Sequence, residues 1–203
     1  MKKQIVLLAL LSLLSCKNNE EKKDEPGIMD AVEGIQTIEK AGDAMKDFEK
    51  RAEELKKLKP ISNEIFKQIL TEELGGLKRL RYTAGAATAL GLSSGEASYG
   101  DDAATTIKLS IFDGAGESGS SIITMLNLSL SMDSESIEGT VSKKTENING
   151  IKCLTENDTN TESNRSKITY IYKERFQIDF EGNKINLDDL KSFMSKIDFS
   201  KLQ

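Results

Sequence analysis

Apolar residues first gather at residues 5–14, broken only by Ser12, between Lys2-Lys3 and Cys16. That run is far short of the ~20 residues a helix needs to cross a bilayer core. A basic start, a short apolar middle and the small Ser15 before the cut give residues 1–15 the form of an export signal that is removed. Residues 16–27 then carry almost no apolar side chain and end in Pro26-Gly27, which predicts a charged, disordered spacer. From 28 to about 59 the period changes to that of a helix. Ile38, Ala41, Met45, Phe48, Ala52 and Leu55 recur at steps of three and four, and Ile28, Val32 and Ile35 continue the seam upstream. Gly34 and Gly42 each cost about 1 kcal/mol against Ala inside such a helix.

Lys59-Pro60 ends that helix, and residues 60–203 read as the folded domain. Ser62 is placed as an N-cap, with Ile61 and Phe66 spaced as a hydrophobic staple. Ile65, Phe66, Ile69 and Leu70 give the next helix its apolar face, and Gly75-Gly76 is expected to stop it. Residues 77–83 read as a strand, and 84–92 is ambiguous. Residues 97–99 and 105–112 form an expected hairpin across Gly100-Asp101-Asp102, with Ile107, Leu109 and Ile111 on one face. In 120–132, Ile122, Ile123, Leu126 and Leu130 fit a helix face, whereas Leu126, Leu128, Leu130 and Met132 fit a strand; helix is the reading adopted. Further strands are expected at 136–145 and 150–155, with Asn149-Gly150 as the turn between them. A polar loop over 157–165 leads to a last hairpin at 166–173 and 175–180. Asn186 then caps a helix facing inward through Leu187, Leu190, Phe193, Met194 and Ile197.

Short alternating strands imply an antiparallel sheet that needs cover on one face. The expected fold is α+β: a two-layer domain whose sheet is covered by the helices at its N- and C-terminal ends, preceded by a long amphipathic helix.

Composition narrows the function classes. The chain has 203 residues, 28 Lys+Arg against 33 Asp+Glu and a formal charge of −5, which loss of Lys2 and Lys3 makes more negative. An acidic chain without a basic face is not built to neutralise phosphates, so no nucleic acid partner is expected. Histidine is absent, which excludes Ser-His-Asp, Cys-His and His-ligated metal sites. No Ser-x-x-Lys occurs, which removes a further serine nucleophile. Cys16 and Cys153 are the two cysteines, and Cys153 reads as a small hydrophobe in a strand.

The remaining chemistry is thin. Gly114-Ala115-Gly116-Glu117-Ser118-Gly119 satisfies G-x-G-x-x-G, with Glu135 near the distance of a ribose-binding acid. The strand before it alternates, however, and no βαβ repeat follows, so a turn is the expectation and no cofactor is assigned. Paired carboxylates occur at Asp101-Asp102, Asp113 with Glu117, and Asp188-Asp189, all at turns or helix starts where Asp is favoured locally. Asp101, Asp102, Asp113 and Glu117 would form a calcium site only if two loops converged, and no EF-hand spacing is present, so no metal is assigned.

Leu13-Leu14-Ser15-Cys16, closing the charged and apolar leader, resembles the signal of bacterial lipoproteins. The resemblance covers residues 1–16. It implies that Cys16 becomes the first mature residue, with a diacylglycerol on its sulfur and an acyl chain such as palmitate on its amine. Several chains hold a protein firmly where one binds marginally. The acidic residues Glu20-Glu21 and Asp24-Glu25 resemble the export address of Bacteroidetes-type lipoproteins. The body resembles uncharacterised exported lipoproteins of that type through Leu58-Lys59-Pro60-Ile61-Ser62, Gly76-Leu77-Lys78-Arg79, Ala97-Ser98-Tyr99, Asp113-Gly114-Ala115-Gly116-Glu117, Arg175-Phe176 and Ile197-Asp198-Phe199. Its element order loosely resembles the Mog1/PsbP type of sheet-plus-helix domain, a likeness of architecture that carries no function.

These readings imply a cell-envelope protein, held in the outer membrane facing the periplasm or exposed at the cell surface, with the lipid bilayer as partner through Cys16. The leading function is a non-catalytic binding or scaffold module, with a protein partner or self-association through helix 28–58. The alternative is a carrier of an apolar ligand lined by Met125, Leu126, Leu128, Phe176 and Phe180. A carboxylate-based enzyme is the third.

Overall fold

The structure is a computed structural model that describes residues 45–203 except 86, 87, 89, 90, 102 and 103. The chain divides into two units, Met1–Ala41 and Gly42–Gln203, and the described residues all belong to the second. The expected signal, Cys16, the spacer, the seam residues from Ile28 to Ala41, Gly34, Gly42 and Asp102 therefore lie outside the described residues.

Residues 45–56 are helical (α1), followed by α2 (Asn63–Ile69). A first meander holds β1 (Glu73–Leu74), β2 (Leu77–Ala84), β3 (Ser93–Tyr99) and β4 (Thr106–Asp113). The helix α3 (Gly116–Ser131) leads to a second meander of β5 (Glu135–Glu138), β6 (Val141–Ile148), β7 (Ile151–Asp158), β8 (Arg165–Tyr172) and β9 (Phe176–Asn183), closed by α4 (Leu187–Met194). One antiparallel nine-stranded sheet results, in the order β1-β2-β3-β4-β9-β8-β7-β6-β5. The two meanders join where β4 pairs with β9, in register from Thr106↔Asn183 to Asp113↔Phe176. The α+β architecture with helices flanking an antiparallel sheet is as the alternation requires.

Period two decides which residues are buried. Ile107, Leu109 and Ile111 point to the same face as Phe176, Ile178 and Phe180, and all six are buried. Helix α2 packs on β2 and β3, and α4 on β8 and β9. Phe193 of α4 meets Tyr99 and Phe180 with ring centroids 6.5 and 6.1 Å apart, and Phe199 beyond it meets Tyr172 and Phe180. Asn186 caps α4, its side chain accepting from the Asp189 amide.

The alternate residues form the opposite face, which carries a row of charge in register. Lys108, Glu181, Lys167, Glu156 and Lys143 stand side by side on five neighbouring strands. Lys108 meets Glu181 at 2.8 Å and Lys143 meets Glu156 at 2.9 Å. A sheet face patterned this way keeps its contacts with water.

Several expected boundaries move. Gly75-Gly76 does not end α2, which stops at Ile69. The pair forms the β1–β2 hairpin turn, with φ of +59° and +85°, a conformation that glycine adopts without steric cost. The strand expected at 136–145 is the hairpin of β5 and β6, turned at Gly139 (φ +60°). The polar loop shortens, because β7 runs to Asp158 and β8 begins at Arg165. Ser62 occupies the N-cap position of α2 but makes no side-chain capping bond. The ambiguous 120–132 segment is helical, within α3.

Candidate functional site

Asp113, at the end of β4, is the most completely bonded acid in the region of the expected site. It is fully buried and accepts four hydrogen bonds: from Arg175 Nε (2.7 Å), Arg175 Nη2 (2.8 Å), the Ile61 amide (2.8 Å) and the Ala115 amide (3.0 Å). Arg175 also donates to the main-chain oxygens of Lys59 and Gln203, each at 3.0 Å. Its guanidinium lies over the Phe176 ring, 4.8 Å from the centroid. One ion pair thus ties the segment between α1 and α2, the end of β4, the β8–β9 turn and the last residue together. Segments quoted above for the lipoprotein resemblance, Lys59 to Ile61, Asp113 to Ala115 and Arg175-Phe176, meet here. Glu117 is exposed on the first turn of α3, so Asp113 and Glu117 do not act as a carboxylate pair.

The glycine motif is explained by packing. Its strand, β4, runs antiparallel to both neighbours, unlike the parallel strand of a dinucleotide site. A Cβ on Gly114 would collide with Ile123 and would lie 2.6 Å from the Arg175 carbonyl oxygen. A Cβ on Gly119 would lie 2.8 Å from the Gly114 carbonyl carbon. These two glycines let α3 press against the chain it leaves. Gly116 takes φ of +84° at the helix start with open space around it.

The other acids serve local structure. Asp189 belongs to the α4 cap, receiving Asn186 Nδ2 at 2.7 Å. Asp101 lies in the β3–β4 loop and is exposed, while its neighbour Asp102 is outside the described residues. Asp113 is committed to Arg175 and to two backbone amides, so it is not free to join Asp101 and Glu117 around a cation. Among the described residues no three His, Cys, Asp or Glu side chains stand together as a metal site.

Cys153 faces the core of β7 and is fully buried. Burial, together with the nearby Glu146 charge, pushes its thiol up to about 12, which keeps it neutral and unreactive. Burial also pushes the Glu146 carboxyl up, but hydrogen bonds from Thr155 (2.8 Å) and Lys191 (3.2 Å) outweigh this and hold it below the ordinary carboxylate range. Among the described residues no buried side-chain nitrogen or oxygen lacks a partner. None of these groups is a poised nucleophile or base.

Helix α3 is different. It crosses from the centre of the sheet to its far edge, packing on β8 and β7 through a side that buries Gly119, Ser120, Ile123 and Leu130. Its other side is apolar too: Ile122 is 37% exposed, Met125 72%, Leu128 45% and Met132, just past its end, 54%. From Ser118 to Met132 no residue is charged. Its hydroxyls are turned back on the helix: Ser121 donates to Glu117 O (3.1 Å), Thr124 to Ser120 O (2.8 Å), Ser129 to Met125 O (3.1 Å) and Ser131 to Leu128 O (2.7 Å). Apolar side chains thus stand on both sides of α3 among small polar residues, and those of the outer side are exposed. The sequence signal was the charge-free run itself.

The five residues expected to line a ligand cavity do not come together. Met125 and Leu128 face outward, while Phe176 and Phe180 are core residues under the helix layer. A groove of about 580 Å³ does lie nearby, lined by Phe48, Leu130, Ile151, Tyr170 and Tyr172 among others.

Comparison with protein-family models, with curated proteins and with solved structures gave no match. Among the described residues no helix is long and apolar enough to cross a membrane.

Proposed function

We propose that this chain is a cell-envelope lipoprotein, anchored by an acylated Cys16, whose domain is a non-catalytic binding or scaffold module. The observation that carries the binding reading is the open, charge-free side of α3, a surface of the kind that marks protein interaction. The commitment of Asp113, Arg175 and Cys153 to packing supports it against a carboxylate enzyme. The leader of residues 1–16 supports export and the anchor, and the location proposed is the cell envelope, in the outer membrane facing the periplasm or exposed at the cell surface. The test is fractionation of cells expressing the native chain and Cys16→Ala. The native chain is expected in the membrane pellet after an alkaline wash and the variant in the soluble fraction; equal retention of both removes the anchor.

A second reading keeps the module but gives it a small apolar ligand. The groove at Phe48, Leu130, Ile151, Tyr170 and Tyr172 favours it, having the size of small-molecule sites. Native mass spectrometry of the purified protein decides: a bound mass lost on denaturation favours the carrier, and a bare chain mass removes it.

A further inference from the structure

We infer that the groove beside Phe48 takes a single-chain amphiphile with a carboxylate head, of the long-chain fatty acid class. This rests on the carrier reading above and adds to it the chemistry of the ligand.

The apolar walls of the groove come from three parts of the fold. Phe48 stands on α1, Leu130 on α3, and Ile151 and Tyr172 on the paired strands β7 and β8. The space they enclose, about 580 Å³, is that of a site for one small molecule.

Charge in the groove is one-sided. Lys152 and Lys173 line it together with a single acid, Glu174, and Arg51 of α1 already pairs with that acid. Lys173 donates to a neutral group, the Leu202 main-chain oxygen, at 2.8 Å, and its ammonium lies 5.4 Å from the Tyr172 ring centroid. That bond leaves its positive charge uncancelled.

Lys152 shows which head group fits. Its ammonium holds a carboxylate at 2.8 Å, that of Asp133, whose side chain is 91% exposed. An ion pair so open to water contributes little. A ligand carboxylate therefore displaces Asp133 at small cost and makes the same bond beside apolar walls, where less water competes for it. A neutral apolar ligand gains nothing from either lysine. A cationic head is repelled by both.

The test uses the full-length protein in bacterial membranes and two photo-reactive probes of equal chain length, a diazirine dodecanoate and the matching dodecanol. After irradiation the labelled peptides are located by mass spectrometry. Dodecanoate is expected to label the segments that contain Phe48, Ile151 and Tyr172 about tenfold more than dodecanol does, as loss of a charged hydrogen bond implies. Lys152→Met and Lys173→Met are each expected to remove much of that preference with an unchanged melting temperature, and Asp133→Asn to raise dodecanoate labelling. Excess unlabelled dodecanoate is expected to suppress the labelling and dodecyltrimethylammonium to leave it. Equal labelling by the two probes, a preference that both lysine variants keep, or a failure of Asp133→Asn to raise labelling would overturn the carboxylate assignment and leave the carrier reading standing. Stronger suppression by dodecyl phosphate than by dodecanoate would overturn it too, by assigning the head group to phosphate. Labelling of the groove by neither probe would overturn both.

Discussion

Arg175 grips Asp113 with two parallel hydrogen bonds, Nε to Oδ1 at 2.7 Å and Nη2 to Oδ2 at 2.8 Å, where the acid is fully buried. The residues are 62 positions apart in sequence. Their pairing closes the junction of β4, the β8–β9 turn and the segment entering α2. Removing one partner leaves the other charge buried without compensation, which costs about 3–5 kcal/mol. Asp113→Ala and Arg175→Met are each expected to lower stability by that amount in urea titrations. The double variant is expected to cost clearly less than the two added together. It does not return to native stability, because the Ile61 and Ala115 amides still lose their acceptor. Strict additivity would show that the pair does not act as a unit.

Gly114 and Gly116 belong to the same glycine motif but are expected to respond differently to alanine. At Gly114 a methyl group meets Ile123 and the Arg175 carbonyl, and overpacking of this kind costs about 1–3 kcal/mol or more. At Gly116 there is room, and only the left-handed backbone, φ +84°, resists, a cost of about 1 kcal/mol. Thermal melts of the two variants check the order. A more damaging Gly116→Ala would contradict the packing account of the motif.

Alkali should weaken the fold. Burial pushes both the Cys153 thiol and the Tyr99 phenol up to about 12. The unfolded chain ionises these groups near their ordinary values of 9.0 and 10.0, so above the first of these it holds fewer protons than the folded chain. Stability is then full below the ordinary thiol value and falls as pH rises towards the folded values. Urea midpoints measured across this range are expected to decline, less steeply in Cys153→Ala. The native thiol should also resist alkylation at neutral pH and react once unfolded.

Acid acts through Glu146. Its carboxyl is held low by Thr155 and Lys191 against the effect of burial, so its contribution is present above the ordinary carboxylate value and lost as pH falls through the folded one. Glu146→Gln is expected to lose about 1–2 kcal/mol at neutral pH, with the deficit shrinking in acid. A deficit independent of pH would mean that packing, not charge, is what Glu146 supplies.

Where side-chain alternation is strict, the sequence was enough. Ile107, Leu109 and Ile111, and Phe176, Ile178 and Phe180, announced the two central strands, and Asn149-Gly150 and Asn186 marked a turn and a cap through local backbone chemistry. Boundaries failed where local rules compete. Leu74 prolongs the helical spacing of α2 across Thr71-Glu72-Glu73, which hid the hairpin at Gly75-Gly76. Residues 136–145 are too polar to show the break at Gly139. Asp113 was legible as an acid beside a turn, but its partner was not, since nothing local joins it to Arg175. The reading of α3 as a helix was correct, yet the inward and outward assignment of Met125, Leu126 and Leu128 needed the sheet to be in place.

Mass spectrometry of the amino terminus of the protein purified from a bacterial membrane tests the central claim most directly. The account predicts a peptide that begins at Cys16, with a diacylglyceryl group on its sulfur and an acyl chain on its amine. An unmodified terminus at another residue, or a free Cys16 thiol in the membrane-derived protein, would contradict it.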